Sequence, residues 1–276
     1  IEYIVEEKSS DQIELSGGYG GVGANGRGSV IGTIGLTFNN FSTKQLFKGG
    51  KEAWQPLPSG DGQRLSIRGQ SNGRFYQSFN ASFTEPWLGG KKPNSLTVFS
   101  NYTLLSRTGL FRTDPNYQGT TIGGAGIGYG RRIKFPDDYF STYMELAYQK
   151  YNVINDSRFG DLFTNGEAND ISFKYVLQRN SISAPIYPQS GSNLTLTMKS
   201  TLPYSVGQRW AGQEIDYASQ TAQERYKYLE YYKMKFTAAW YLPLSADKKL
   251  VLSPRIGFGF MGAYTAAKGI TPFDRF

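Results

Sequence analysis

From Ser29 onward, apolar and polar residues alternate along the chain. In Ser29–Phe38, Val30, Ile34, Leu36 and Phe38 share one face, and Thr33 and Thr37 fall on the other. Leu65 and Ile67 alternate with Arg64, Ser66, Arg68 and Gln70. Phe75, Phe79, Ala81 and Phe83 alternate with Ser78, Asn80, Ser82 and Thr84. The same period recurs in Asp170–Gln178 (Ile171, Phe173, Tyr175, Leu177) and in Asn193–Lys199 (Leu194, Leu196, Met198). A period of two over stretches of this length predicts half-buried β-strands. Less regular strands are predicted at Gln12–Tyr19, Leu96–Leu105, Thr121–Arg131, Phe140–Tyr151, Tyr226–Leu242 and Leu250–Tyr264. Turn clusters such as Ser71-Asn72-Gly73-Arg74 and Pro136-Asp137-Asp138 separate them, giving about eleven strands. The best helix candidate is Gln213–Arg225, inside a long connection. Residues 1–8 read as a short, more highly charged strand belonging to a preceding domain.

Two all-β architectures fit such a pattern: a soluble sandwich or barrel, and an outer-membrane barrel. Face chemistry separates them. Arg68, Lys174, Lys199, Lys233, Lys235 and Arg255 all fall on polar faces, and the apolar faces carry almost no charge. A tilted membrane strand needs about 9–11 residues, which the predicted strands supply. The row Tyr226, Tyr228, Tyr232, Met234, Phe236, Ala238, Trp240 reads as an aromatic girdle flanking a lipid-facing band. No run of about 18 apolar residues exists, as expected where polar residues interrupt every membrane strand. The expectation is therefore a transmembrane antiparallel β-barrel. Single-chain bacterial barrels use even strand numbers and lipid tolerates no open edge, so eleven strands imply that the barrel closes with strands beyond this sequence. Gly20–Gly28, Ser71–Arg74, Ser106–Gln118, Ile154–Ala168 and Leu202–Arg225 are then external loops. Asn39–Gln63 is unusually long for a periplasmic turn.

Composition narrows the chemistry. The 276 residues contain neither cysteine nor histidine, which removes disulfides, thiolate or imidazole metal sites and His-dependent nucleophilic catalysis. The paired carboxylates Asp137/Asp138 lie side by side in a turn and cannot face each other across a cleft, as a glycosidase requires. No enzymatic activity and no cofactor are expected. Gly21-Val-Gly-Ala-Asn-Gly26 matches a dinucleotide fingerprint, but a strand follows it where a helix is needed, so it reads as a hairpin loop. Gly123–Gly130 reads as a strand with little side-chain volume on one face, leaving room inside the barrel. The net charge of +8 is dispersed over strand faces and turns. It suits a hydrated lumen and anionic lipid headgroups better than nucleic acid, which is not an expected partner.

Ser82-Phe-Thr-Glu-Pro-Trp-Leu-Gly-Gly90, Leu177-Gln-Arg-Asn-Ser-Ile-Ser-Ala-Pro-Ile-Tyr-Pro-Gln-Ser-Gly191, Pro272-Phe-Asp-Arg-Phe276 and the opening Val5-Glu-Glu-Lys8 occur in this order. Together they resemble the BamA family of outer-membrane β-barrel assembly insertases, and Asn39-Asn-Phe41 resembles the family's turn after the second strand. The resemblance implies that residues 1–8 end a periplasmic POTRA domain. Residues 9–276 then form the first eleven strands of a sixteen-stranded barrel. It places Phe273, Asp274, Arg275 and Phe276 at the start of a loop that folds into the lumen, ahead of the family's Arg-Gly motif, which lies outside this sequence. It implies insertion of unfolded client barrels into the outer membrane of a Gram-negative bacterium, with accessory lipoproteins, other complex subunits and outer-membrane lipids as partners. Asn39–Gln63 would be one contact for an accessory subunit. The templating edge would be the first strand, through the backbone of Ile13, Glu14, Leu15, Ser16, Gly17 and Gly18. A passive porin, a two-partner secretion pore and a soluble carbohydrate-binding module remain as alternatives.

Overall fold

The computed structural model describes residues 11–22, 28–48, 57–90, 92–210, 212 and 215–274. The expected POTRA tail, most of the Gly21–Gly26 loop, and both Arg275 and Phe276 lie outside these residues.

One antiparallel sheet of 12 strands runs in sequence order. Its strands are β1 (Gln12–Val22), β2 (Gly28–Phe41), β3 (Gln63–Asn72), β4 (Tyr76–Glu85), β5 (Ser95–Ser106) and β6 (Gly119–Ile133). There follow β7 (Phe140–Ile154), β8 (Gly166–Asn180), β9 (Gly191–Thr201), β10 (Tyr232–Pro243), β11 (Val251–Leu252) and β12 (Arg255–Gly262). Both β11 and β12 pair with β10. They are the eleventh expected strand, interrupted at Ser253-Pro254, where proline has no N–H to give the ladder.

Register makes the alternation a property of the whole sheet. Phe38, Leu65, Phe83, Val98, Ile127, Leu146 and Phe173 are successive cross-strand partners from β2 to β8. Tyr175, Met198, Met234 and Phe260 continue the apolar face to β12. This face is open to the surroundings: Leu15 is 74% exposed, Phe79 56% and Phe258 55%. An apolar face of this extent far exceeds what a soluble monomer leaves in water and suits hydrocarbon. The other face carries the row Glu14, Gly35, Arg68, Asn80, Asn101, Gly124, Gln149, Asp170. It is concave, since residues from Phe99 on β5 to Lys235 on β10 line a single cavity of about 350 Å³. A second sheet, as in a soluble sandwich, is absent among the described residues.

The glycine-rich strand corrects one expectation. Gly124, Gly126, Gly128 and Gly130 lie on the concave face, but the space above them is filled. A Cβ on Gly126 would stand 2.5 Å from Phe99 Cζ, one on Gly124 would stand 2.8 Å from Gln149 Cγ, and Tyr143 lies across Gly128. Rings from the neighbouring strands thus lie on bare backbone. Among the described residues of the β2–β3 connection, α1 (Thr43–Lys48) follows β2, and Ser42 Oγ donates to Asp61 at 2.5 Å to hold the connection's two ends together.

The longer described connections, 107–118, 155–165 and 202–231, lie at one end of the sheet, called the loop end below. The opposite turn end carries 86–94, 134–139, 181–190 and 244–250. The tenth strand begins six residues later than expected, because 226–231 belong to the connection. Of the anticipated girdle, Tyr232 and the residues after it remain on the apolar face, while Tyr226 turns inward and is buried. The expected helix over Gln213–Arg225 shrinks to α3 (Ala222–Arg225), started by a Thr221/Glu224 capping box. A helix that the periodicity did not indicate, α2 (Tyr204–Trp210), precedes it.

Candidate functional site

Among the described residues, β1 pairs with β2 alone, so its outer side presents backbone groups without a ladder partner. Ile13 and Leu15 point to the apolar face, and Glu14 and Ser16 to the concave one. The two ends of the strand differ. Toward the turn end, Asp11 Oδ1 accepts from the Asn39 N–H at 3.2 Å, and Glu14 forms a 3.0 Å ion pair with Arg68 two strands away. That pair crosses β2 over Gly35, where a Cβ would stand 3.2 Å from the Cβ of Glu14. Toward the loop end, Gly17 faces Gly32 and Gly18 faces Ile31. A Cβ at Gly18 or Gly32 would meet nothing within 4 Å. The β1–β2 ladder there has backbone bonds with almost no side-chain contact.

The second feature lies on the concave face at the loop end. The 202–231 connection folds over it and buries Tyr226, Leu229 and Tyr231 against Tyr151 and Val153 of β7, Phe163 and Ala168. The segment after β12 completes this cluster. The Phe273 ring is fully buried, with centroids 4.8 Å from Tyr151, 4.4 Å from Phe159 and 5.0 Å from Phe163.

Asp274 lies on the polar side of the same plug. Its Oδ2 accepts from Lys199 Nζ at 2.7 Å and from the Tyr231 hydroxyl at 2.7 Å. Lys233 Nζ stands 3.6 Å from Oδ1 and donates to the Asp274 carbonyl at 3.0 Å. Tyr231 and Lys199 also reach Asp170 Oδ2, at 2.8 and 3.4 Å. The tyrosine has one proton, so the two carboxylates share it while Lys199 balances their charge. Burial acts to raise the Asp274 pKa, but Lys199, Tyr231 and Lys233 outweigh it and hold the carboxyl below its ordinary value. Burial, then the charges of Asp170 and Asp274, push the Tyr231 hydroxyl up. A parallel contact fastens the 202–231 connection to the segment after β12. Glu230 pairs with the buried Lys268 at 3.1 Å and accepts from the Ser205 N–H at 2.8 Å. Burial lowers the Lys268 pKa, and Glu230 opposes that shift.

Of the residues singled out from the sequence, Ile13–Gly18 therefore lie in the edge strand, and Phe273 and Asp274 lie on the concave face. The structure does not bring the two groups together: β1 stands at one end of the strand order, and Asp274 is bound over β9 and β10. Sequence reasoning missed Asp170, Lys199, Tyr231 and Lys233 as the anchors of Asp274. The only signal was an acid, Asp170, at the head of a strand whose polar face is otherwise neutral or basic.

Residues 59–276 match the Omp85 superfamily domain. Among solved structures, the chain is similar to the crystal structure of BamA from Haemophilus ducreyi lacking POTRA domains 1–3, with a TM-score of 0.59 and 17% sequence identity. The match covers 97% of this chain and 44% of that one, so the chain spans less than half the length of this relative. None of the curated proteins matches the sequence.

Proposed function

The chain belongs to the Omp85 superfamily, a family of outer-membrane insertases and transporters, and on that premise we propose that it forms the barrel wall of an insertase that folds client β-barrels into the outer membrane of a Gram-negative bacterium. The observation that carries this reading is β1. It is fastened toward the turn end by Asp11 and Glu14 and bare at Gly17, Gly18 and Gly32 toward the loop end. A strand edge of this kind is a template for β-augmentation: a client strand pairs with it and never exposes its own backbone to lipid. Ile13–Gly18 carry the templating through backbone groups, so the activity needs neither a catalytic residue nor a cofactor. Client barrels, accessory lipoproteins and membrane lipids are the partners. Phe47 of α1, strongly exposed on the β2–β3 connection, offers an accessory subunit an apolar contact.

The rival reading is a secretion pore, favoured by the lysines that line the concave cavity (Lys174, Lys199, Lys233 and Lys235). One experiment separates them. The full-length protein is reconstituted in liposomes, and an unfolded, radiolabelled client barrel is added. Protease-resistant, heat-modifiable client is scored with and without a disulfide joining a Ser16→Cys variant to the barrel's final strand. Client folding that the tether abolishes is expected. No acceleration over empty liposomes, with a conductance indifferent to the tether, refutes the insertase and favours the pore.

A further inference from the structure

Four cations converge at the turn end of the sheet, far from the plug. Lys92 of the β4–β5 turn, Arg131 and Arg132 at the end of β6, and Lys134 of the β6–β7 turn line one crevice of about 930 Å³ together with Tyr129, Pro93, Asn94 and Asp138. All four are exposed, and among the described residues none has a carboxylate within ion-pairing distance. Of the two acids in the β6–β7 turn, Asp137 pairs with Arg179 at 2.8 Å and accepts from the Tyr139 N–H, while Asp138 lines the crevice but stands beyond ion-pairing distance of the four cations, which leaves a positive excess there. The two turns are themselves held in shape. The Leu88 N–H donates to the Asn94 carbonyl at 2.8 Å, and the Trp87 N–H donates to Glu85 Oε1 at 2.9 Å. Like charges gathered in one built crevice repel one another unless an anion joins them.

What surrounds the crevice identifies the anion. Ile127, Tyr129 and Arg131 succeed one another on the apolar face of β6, about 6.6 Å apart at each step of two residues. Leu96 on β5 and Met144 on β7 flank Tyr129 in register. Moving toward the turn end, this column therefore presents an aliphatic side chain, then an aromatic ring, then a guanidinium. That order is the one a phospholipid meets: acyl chain, interface, phosphate. Phe135 and Tyr139, in the β6–β7 turn that supplies Lys134, are exposed, as amphipathic anchors at headgroup depth are. A soluble anion has no use for the apolar half of this arrangement. Membrane barrels carry their short turns on the periplasmic side, which puts the crevice at the inner leaflet.

We propose that this crevice is a binding site for the headgroup of an anionic phospholipid, its phosphate held by Arg131, Lys134 and Lys92 and its acyl chains laid on Leu96, Ile127 and Met144. The site depends on the chain being a membrane barrel and not on whether that barrel is an insertase or a pore.

The test uses the full-length protein carrying Tyr129→Trp in phosphatidylcholine vesicles containing phosphatidylglycerol with brominated chains, whose bromines quench the introduced tryptophan on contact. The parent protein, with tyrosine at position 129, supplies the background from the native tryptophans. Preferential quenching by brominated phosphatidylglycerol over brominated phosphatidylcholine is expected. Each cation near a membrane surface contributes about a fivefold preference, so K92Q/R131Q/K134Q should lower the apparent preference by about a hundredfold. The single variants R131Q and K134Q, both at exposed positions that leave folding intact, should give intermediate losses. K248Q/K249Q, at the same end in the 244–250 turn, should leave it unchanged. Three results overturn the proposal: equal quenching by the two lipids, an equal loss in K248Q/K249Q, or displacement of the lipid by millimolar inorganic phosphate, which would make this a small-anion site.

Discussion

Lys199 is the cation on which the docking of the 263–274 segment depends. Its Nζ stands between Asp274 Oδ2 at 2.7 Å and Asp170 Oδ2 at 3.4 Å. The Asp170 side chain is 1% exposed, and its Oδ1 has no hydrogen-bond partner among the described residues. In K199M, Asp170 retains only the shared Tyr231 hydroxyl. Breaking a fully buried pair costs about 3–5 kcal/mol. Asp274 is 30% exposed and keeps Lys233 and Tyr231, so solvent and the remaining partners reduce this to about 2 kcal/mol. That corresponds to about a thirtyfold rise in the undocked fraction. Hydrogen exchange of a peptide covering residues 265–274 reads it directly, because the N–H groups of Lys268, Gly269 and Phe273 are bonded only while the segment is folded. Exchange about thirtyfold faster is expected in K199M, with partial recovery in K199M/D170N, where the buried anion is removed as well. Unchanged exchange in a correctly folded K199M barrel refutes the reasoning. So does a double variant that exchanges as fast as the single one.

Four further outcomes follow from the same geometry. Gly126→Val drives a side chain into Phe99 and the Leu146 carbonyl, and should destabilise the barrel by about 1–3 kcal/mol in a heat-modifiability titration, whereas Gly32→Ala, which meets nothing within 4 Å, should stay within about 0.5 kcal/mol of the parent. Glu230→Ala leaves Lys268 buried without its counter-charge and should loosen residues 204–210 by about 3 kcal/mol in hydrogen exchange, with smaller effects on β1–β6. Glu14→Gln removes an ion pair whose side chains are both about half exposed, and urea unfolding should register less than about 1 kcal/mol. The Asp274 carboxyl is held below its ordinary 3.8, so its contribution to docking is complete above that pH and is lost as pH falls through the lower, docked value. Protease cleavage within 263–274 should therefore be flat from pH 7 to about pH 5 and rise only in strong acid, and D274N should abolish that dependence.

The wall of the barrel was legible because its two solvents alternate at every residue. Leu146 must meet hydrocarbon and Glu145 must meet water, so each strand carries its own face assignment, and cross-strand register only aligns what the strands already specify. The break at Ser253-Pro254 was visible in principle, since proline cannot serve both sides of a ladder. The plug was not legible. Tyr226–Tyr231 have a strand-like composition and run directly into β10, and nothing local distinguishes an aromatic bound for lipid from one bound for Phe163 and Phe273. The glycines of β6 misled for a related reason: a missing side chain marks an open space only if no neighbour leans over it, and Phe99 and Tyr143 come from other strands. The first strand was singled out by the family resemblance, and its place at one end of the sheet follows from its being the first strand of an order that runs in sequence. The anchors of Asp274 were not found, because Asp170, Lys199 and Tyr231 come together only across up to 75 positions of chain.

Strict sequence order in the sheet has a consequence for how the molecule is made. Each strand from β2 to β10 pairs with the strand before it in sequence, so the wall can grow by successive hairpins, most of them closing a short loop at small entropic cost, with the β2–β3 and β9–β10 connections the long exceptions. The plug obeys the opposite rule. Its contacts join β7 and β8 to residues up to about 120 positions later, and they have no surface to bind until those strands stand side by side. Burial of Phe273 should therefore come after the wall has formed, as a separate, slower event that tryptophan signals from the strands would not report.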